Sequence, residues 1–81
     1  MPNQKDAYVR RGIIKATLNQ CSEAISLFER AYELDKKDWK VLYSISDIYK
    51  NCYKNLEKSN EFKIKAEELM RIVNKDYLDE F

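Results

Sequence analysis

The side chains able to do chemistry in this sequence are few and widely spaced. Histidine, the usual proton shuttle near neutral pH, is absent. Cys21 and Cys52 are the only cysteines, and neither has another three residues away. A zinc site and a CxxC redox dithiol therefore both lack their parts. The expectation is that both cysteines are small packing residues, since free cysteine is among the most buried residue types. Glu29 and Glu33 stand four apart, but they mingle with Arg30 and Lys37 as a solvated helix face does. With a single glycine there is no phosphate-cradling loop, and no nucleophile has a base beside it. No enzyme activity, cofactor or metal is expected.

Charge narrows the partners. Fifteen basic and fourteen acidic residues give a net charge of +1, too balanced for the positive field that nucleic-acid binders need. Lys50, Lys54 and Lys58 would form a basic stripe only on an unbroken helix, and Asp47, Glu57 and Glu61 dilute it. A small helix-turn-helix nucleic-acid binder is disfavoured on the same ground. A protein partner is expected, with no nucleic acid and no membrane. No apolar run approaches 18 residues, and Met1 to Asp6 lacks the apolar core of a signal peptide, so a soluble, cytoplasmic setting is expected.

The elements that must position these residues are helices. One glycine and one proline among 81 residues, with 36% charged and 44% apolar residues, leave few breakers. Tyr8, Gly12 and Ala16, with Ile13 and Ile14 beside them, predict a first helix over Lys5 to Leu18 with Asn3 as its cap. Asn19 and Gln20 break the pattern. A second stripe of Cys21, Ala24, Ile25, Phe28, Ala31, Tyr32 and Leu34 follows, and so short a connection predicts an antiparallel αα-hairpin.

Asp38 is the expected cap of a third helix bearing Trp39, Leu42, Ile45, Ile48, Tyr49 and Cys52. Past the break at Lys54 and Asn55, Ser59, Phe62, Ala66, Leu69, Met70, Val73 and Tyr77 share one face of a fourth helix running from Leu56 to Asn74 or beyond. Residues 76–81 mix acidic and bulky apolar types. They either extend this helix, fray, or lie in the groove of a neighbouring copy.

Two helix-turn-helix units of similar length invite comparison with repeat proteins. Residues 5–38 resemble a tetratricopeptide repeat: Tyr8, Gly12, Ala24, Phe28 and Ala31 stand at that family's large-small-small-large-small spacing, followed by Glu33-Leu34-Asp35. The chain departs from the pattern at Lys15, Asn19 and Lys36, where an aromatic, a glycine and a proline are common. Residues 39–73 match more loosely. Leu42, Ile45, Ser46 and Tyr49 align 34 residues after Tyr8, Arg11, Gly12 and Lys15, and one extra residue near Asn55 brings Ser59, Ala66 and Leu69 into register with Ala24, Ala31 and Leu34. Lys63 then stands at the position of Phe28, with Phe62, one residue earlier, in the aromatic's place.

The resemblance implies a single all-α domain, 1–81, of two antiparallel hairpins forming a right-handed α-solenoid fragment, with residues 74–81 as an extension. Tyr8, Gly12, Ala24, Phe28 and Ala31 would carry the packing. It also implies a scaffold or adaptor whose concave groove, built by the first helix of each repeat, takes a partner peptide or helix. Asp6, Val9, Arg10, Ile13 and Thr17 would face Lys40, Tyr43, Ser44, Asp47 and Asn51 across it. Of these, Val9, Arg10, Ile13, Lys40, Tyr43 and Asp47 are the candidate contact residues. The carboxylate clamp of chaperone-binding members needs lysine and asparagine where this chain has Val9 and Ile13, so such tails are not the expected ligand.

The same exposed apolar residues also suit a homo-oligomeric assembly element whose open ends are covered by another copy. Ile64 and Ile72, outside the main stripe of the fourth helix, add to that reading. A core of this size supplies only about 3 to 5 kcal/mol unaided, so extra help from long helices or a partner is expected in either case.

Overall fold

The computed structural model describes the backbone of residues 4–79 and the side chains of residues 4–75. Four helices follow one another: α1 (Gln4–Thr17), α2 (Cys21–Leu34), α3 (Trp39–Asn51) and α4 (Leu56–Asp79). α1 packs along α2, α3 packs along α4, and α2 joins the two hairpins by packing against α3. The Cα extents of 42 × 36 × 16 Å describe a slab. Its thin dimension suits two layers of helices with axes about 8 to 10 Å apart. The expected cap Asn3 and the last two residues lie outside the described part of the chain.

Residue size explains the first hairpin. Gly12 is buried in α1, and a Cβ built on it would sit 3.0 Å from two ring carbons of Phe28. The Phe28 ring, 2% exposed, therefore occupies the space where any other residue would carry its side chain. Ala24 and Ala31, both fully buried, let the helices approach on either side of that ring. The stripe read from the sequence holds for Cys21, Ala24, Phe28 and Ala31, but Leu34, the last residue of α2, is 51% exposed.

The second hairpin closes differently. Ser46 and Ser59 are both buried, and the Ser46 hydroxyl donates to the Ser59 carbonyl at 2.7 Å. The two hydroxyl oxygens lie 3.0 Å apart, so the Ser59 hydroxyl is left to donate to Ser46 Oγ. Val41, Leu42, Ile45 and Ile48 of α3 and Ala66 of α4 complete the apolar core. Phe62 is only half-buried and stacks on Tyr49 at 5.6 Å.

The turns satisfy the helix ends without glycine. After α1, Asn19 adopts φ 64° while its N–H donates to Ala16 O and that of Gln20 donates to Lys15 O. This is a Schellman motif, with asparagine in the left-handed position usually held by glycine. After α3 the left-handed residue is Lys54, φ 55°, and the Asn55 N–H reaches back to Tyr49 O. Asp38 caps α3 by accepting from the Lys40 N–H, and Asn55 caps α4 by accepting from the Lys58 N–H. The N-cap of α2, Gln20, makes no side-chain capping bond.

A correction concerns the cysteines. Cys21, the first residue of α2, and Cys52, which caps the C-terminal end of α3, are joined in a disulfide with their Cα atoms 6.6 Å apart. They are not the two independent packing residues expected from the sequence. The bond closes a separation of 31 residues and ties the turn of the first hairpin to that of the second. By chain entropy alone such a loop contributes about 3 to 4 kcal/mol. That is comparable to the whole apolar core of a chain this small.

Candidate functional site

α1 and α3 present their outer faces on the same side of the slab, and a groove of about 320 Å³ lies between them. Its floor is apolar: Phe28 from α2 beneath, with Ile13 of α1 and Ile48 of α3 on the walls. Thr17, Ser44, Asp47 and Asn51 supply hydrogen-bonding groups, and Asn19 and the disulfide close one end. Local sequence explains each wall. In α1 Gly12 lies on the face packed against α2, and the next residue along the helix, Ile13, points away from it and is 53% exposed. In α3, Ile48 points to the core while its neighbour Asp47 points to solvent.

The residues predicted for the contact face divide into two sets. Ile13 and Asp47 line the groove together, as do Thr17, Ser44 and Asn51. Val9 is half-buried and packs against the core, so most of its surface is not offered to a ligand. Tyr43 is half-buried, lies edge-on to Trp39 at 5.9 Å, and borders a second cavity shared with Ser46, Lys50, Leu56 and Lys63. Arg10 and Lys40 are exposed and are not among the groove's lining residues; the Lys40 ammonium lies 5.8 Å from the Trp39 ring centre.

The other predicted features find separate places. Lys50, Lys54 and Lys58 form no continuous stripe, because α3 ends at Asn51 and Lys54 sits in the turn. The Lys58 ammonium instead lies 5.5 Å from the Tyr49 ring centre. Tyr8 packs against the core with the Arg30 guanidinium 6.0 Å from its ring centre.

No protein-family model, curated protein or solved structure matches this chain.

An electrostatic clamp holds the frame of the groove. The Lys5 ammonium, at the start of α1, donates to Asp35 Oδ2 at 3.0 Å and pairs with Asp38 Oδ2 at 3.1 Å. It thereby ties the first helix to the turn between the hairpins. The hydrogen bond that Lys5 donates to Asp35, then that to Asp38, holds its ammonium above its ordinary range. Lys5, and then the Lys37 N–H, holds the Asp35 carboxyl below its own. Sequence reading missed both this clamp and the disulfide. Lys5 and Asp35 lie thirty residues apart, and no local pattern pairs them.

Among the described residues no group of cysteine, aspartate and glutamate has the arrangement of a metal site, and no helix is long and apolar enough to cross a membrane.

Proposed function

We propose that this chain is a protein-interaction module, a pair of tetratricopeptide-like hairpins that holds a partner peptide or helix in the groove between α1 and α3. The supporting observation is that the groove joins an apolar floor of Ile13, Phe28 and Ile48 to the hydrogen-bonding groups of Asp47 and Asn51. Such a surface accepts one or two apolar anchors of an amphipathic segment, while the Asp47 carboxylate orients it by a basic or amide group. Catalysis has no part in this reading. The groove offers shape, hydrogen-bonding groups and the charge of Asp47.

The test is selection of peptides from a displayed library on the folded protein, followed by binding to Ile13→Glu and Asp47→Lys variants. Peptides that lose at least tenfold in affinity for Ile13→Glu, about 1.4 kcal/mol, support the groove. Selected peptides indifferent to both substitutions would sink it.

A second reading rests on the far side of the molecule. At 1.5 Å per residue, the 24 residues of α4 reach about 36 Å against about 20 Å for the 13 residues of α3, so α4 runs on past its partner. Leu56 (61%), Ile64 (55%) and Ile72 (70%) are exposed along it. These suit a self-associating assembly element, and sedimentation across a hundredfold dilution distinguishes the two readings.

The setting is also open to test. The expected cytoplasmic location rests on the lack of a long apolar run and of a signal-like start, whereas persistent disulfides belong mainly to oxidising compartments. A cytoplasmic location is compatible with the fold only if the Cys21–Cys52 bond is reversible.

A further inference from the structure

The two sulfurs differ in their surroundings in a way that gives the disulfide a direction. Cys21 is 8% exposed, whereas Cys52 is half-buried and so the more accessible of the two. Cys21 begins α2, whose first N–H groups receive no side-chain cap from Gln20. Such a helix end stabilises a thiolate. Cys52 caps the C-terminal end of α3, where unpaired carbonyls disfavour negative charge. Asn19 Oδ1 lies 3.7 Å from Cys21 Sγ and 3.9 Å from Cys52 Sγ, placed to accept from either thiol once the bond is open. Both cysteines line the open groove, where a reductant can approach.

We propose that the Cys21–Cys52 bond is a redox latch on the end of the groove. A dithiol opens it on the folded protein by attack at Cys52, Cys21 leaves as the thiolate, and the turns at residues 18–20 and 52–55 loosen while the core stays packed. In the first step a reductant sulfur bonds to Cys52 Sγ, the Cys21–Cys52 bond breaks, and its electron pair goes to Cys21, which then takes up a proton. The reductant's second thiolate attacks its own sulfur in the mixed disulfide and releases Cys52, which is protonated in turn. Two electrons pass to the protein disulfide, and the dithiol leaves as a cyclic disulfide. The inference holds whether or not the groove takes a peptide.

The test uses the whole oxidised chain. After a brief pulse of reduced glutathione, free thiols are alkylated and the adducts located by peptide mass spectrometry. Glutathione is expected on Cys52 over Cys21 by about tenfold, because the better leaving group departs faster. Equal labelling, or a preference for Cys21, overturns the direction of attack.

The rate of opening by dithiothreitol is then followed at urea concentrations below the unfolding transition. A flat rate is expected; a rate that climbs with the unfolded fraction means the bond is reached only through the unfolded chain and overturns the latch. On reduction, amide protection is expected to fall at residues 18–22 and 52–56 and to persist at Phe28 and Ile45. Loss at all of these sites makes the bond a structural staple, and loss at none makes it inert; either outcome overturns the proposal. The Cys21→Ser, Cys52→Ser double variant provides the same readout without reductant, with the wild-type pulse experiment independent of whether that variant folds.

Discussion

Where α1 crosses α2, an aromatic ring sits on a residue that has no side chain; where α3 crosses α4, two hydroxyls bond to each other and to a backbone carbonyl. Gly12 and Ser46 are 34 residues apart in the sequence and occupy comparable places in their hairpins. The first closure resists a larger residue by shape, because a Cβ at position 12 would require the Phe28 ring to give way. The second admits a small polar pair whose bonding geometry fixes the register. Shape closure buries Phe28 to 2% exposure, while Phe62 stays half-buried on the second hairpin's flank. The first hairpin should therefore lose more from truncation of its aromatic, and the second more from loss of a single polar group.

The largest expected effect tests the apolar side of this contrast. Phe28→Ala should destabilise by about 3 to 5 kcal/mol in chemical denaturation, the range for a buried aromatic. Phe62→Ala should cost less than half as much; equal losses would mean that the two closures do not differ as described. The polar side comes next. Ser46→Ala strands the buried Ser59 hydroxyl and should cost about 1 to 2 kcal/mol, whereas adding Ser59→Ala should recover most of it. A double variant as unstable as the single one would show that the hydroxyls do not work as a pair.

The turns carry a smaller difference. Lys54 holds a left-handed conformation that costs a residue with a Cβ about 1 kcal/mol, so Lys54→Gly should raise the melting temperature. Asn19→Gly should change it less, because asparagine tolerates that region. The smallest effect belongs to the clamp that joins the hairpins. Asp35 is held below its ordinary range, so its contribution is present above the ordinary carboxylate pKa and fades as pH falls through the lowered value. Lys5 is held above its range, so its contribution fades only as pH rises past the ordinary lysine pKa. Lys5→Met should lower the middle of the stability profile slightly and leave its acid and alkaline extremes nearly unchanged, so that both edges flatten. Parallel profiles for the two proteins across the whole pH range would remove the clamp from the account.

Much of this architecture could be read from residue spacing. The cap at Asp38, the small residues at Gly12, Ala24 and Ala31, and the break at Asn55 are local signals, and each helix begins within a residue or so of where they place it. Ser59 and Ala66, brought into line with Ala24 and Ala31 by a one-residue shift, are buried as those are. What spacing could not supply was contact between residues far apart in the chain. Cys21 and Cys52 read as members of two separate helical stripes, and only the angle between the hairpins brings them together. The groove shows the same limit. Ile13 and Asp47 reach it, but Val9 turns into the core and Tyr43 lies against Trp39, because a helix rotated by a fraction of a turn exchanges wall residues for packing residues.

The disulfide also determines how the chain would respond to being pulled. α2 and α3 lie inside the covalent loop it closes, while α1 and α4 lie outside it. Tension applied at the two ends could unwind the outer helices but could not draw out the 31-residue span between the cysteines. At about 3.3 to 3.6 Å per residue, that span withholds roughly 100 Å of contour length. A stretched oxidised molecule should therefore stop short of its reduced counterpart by nearly that length, with its central pair of helices still shielded from the load.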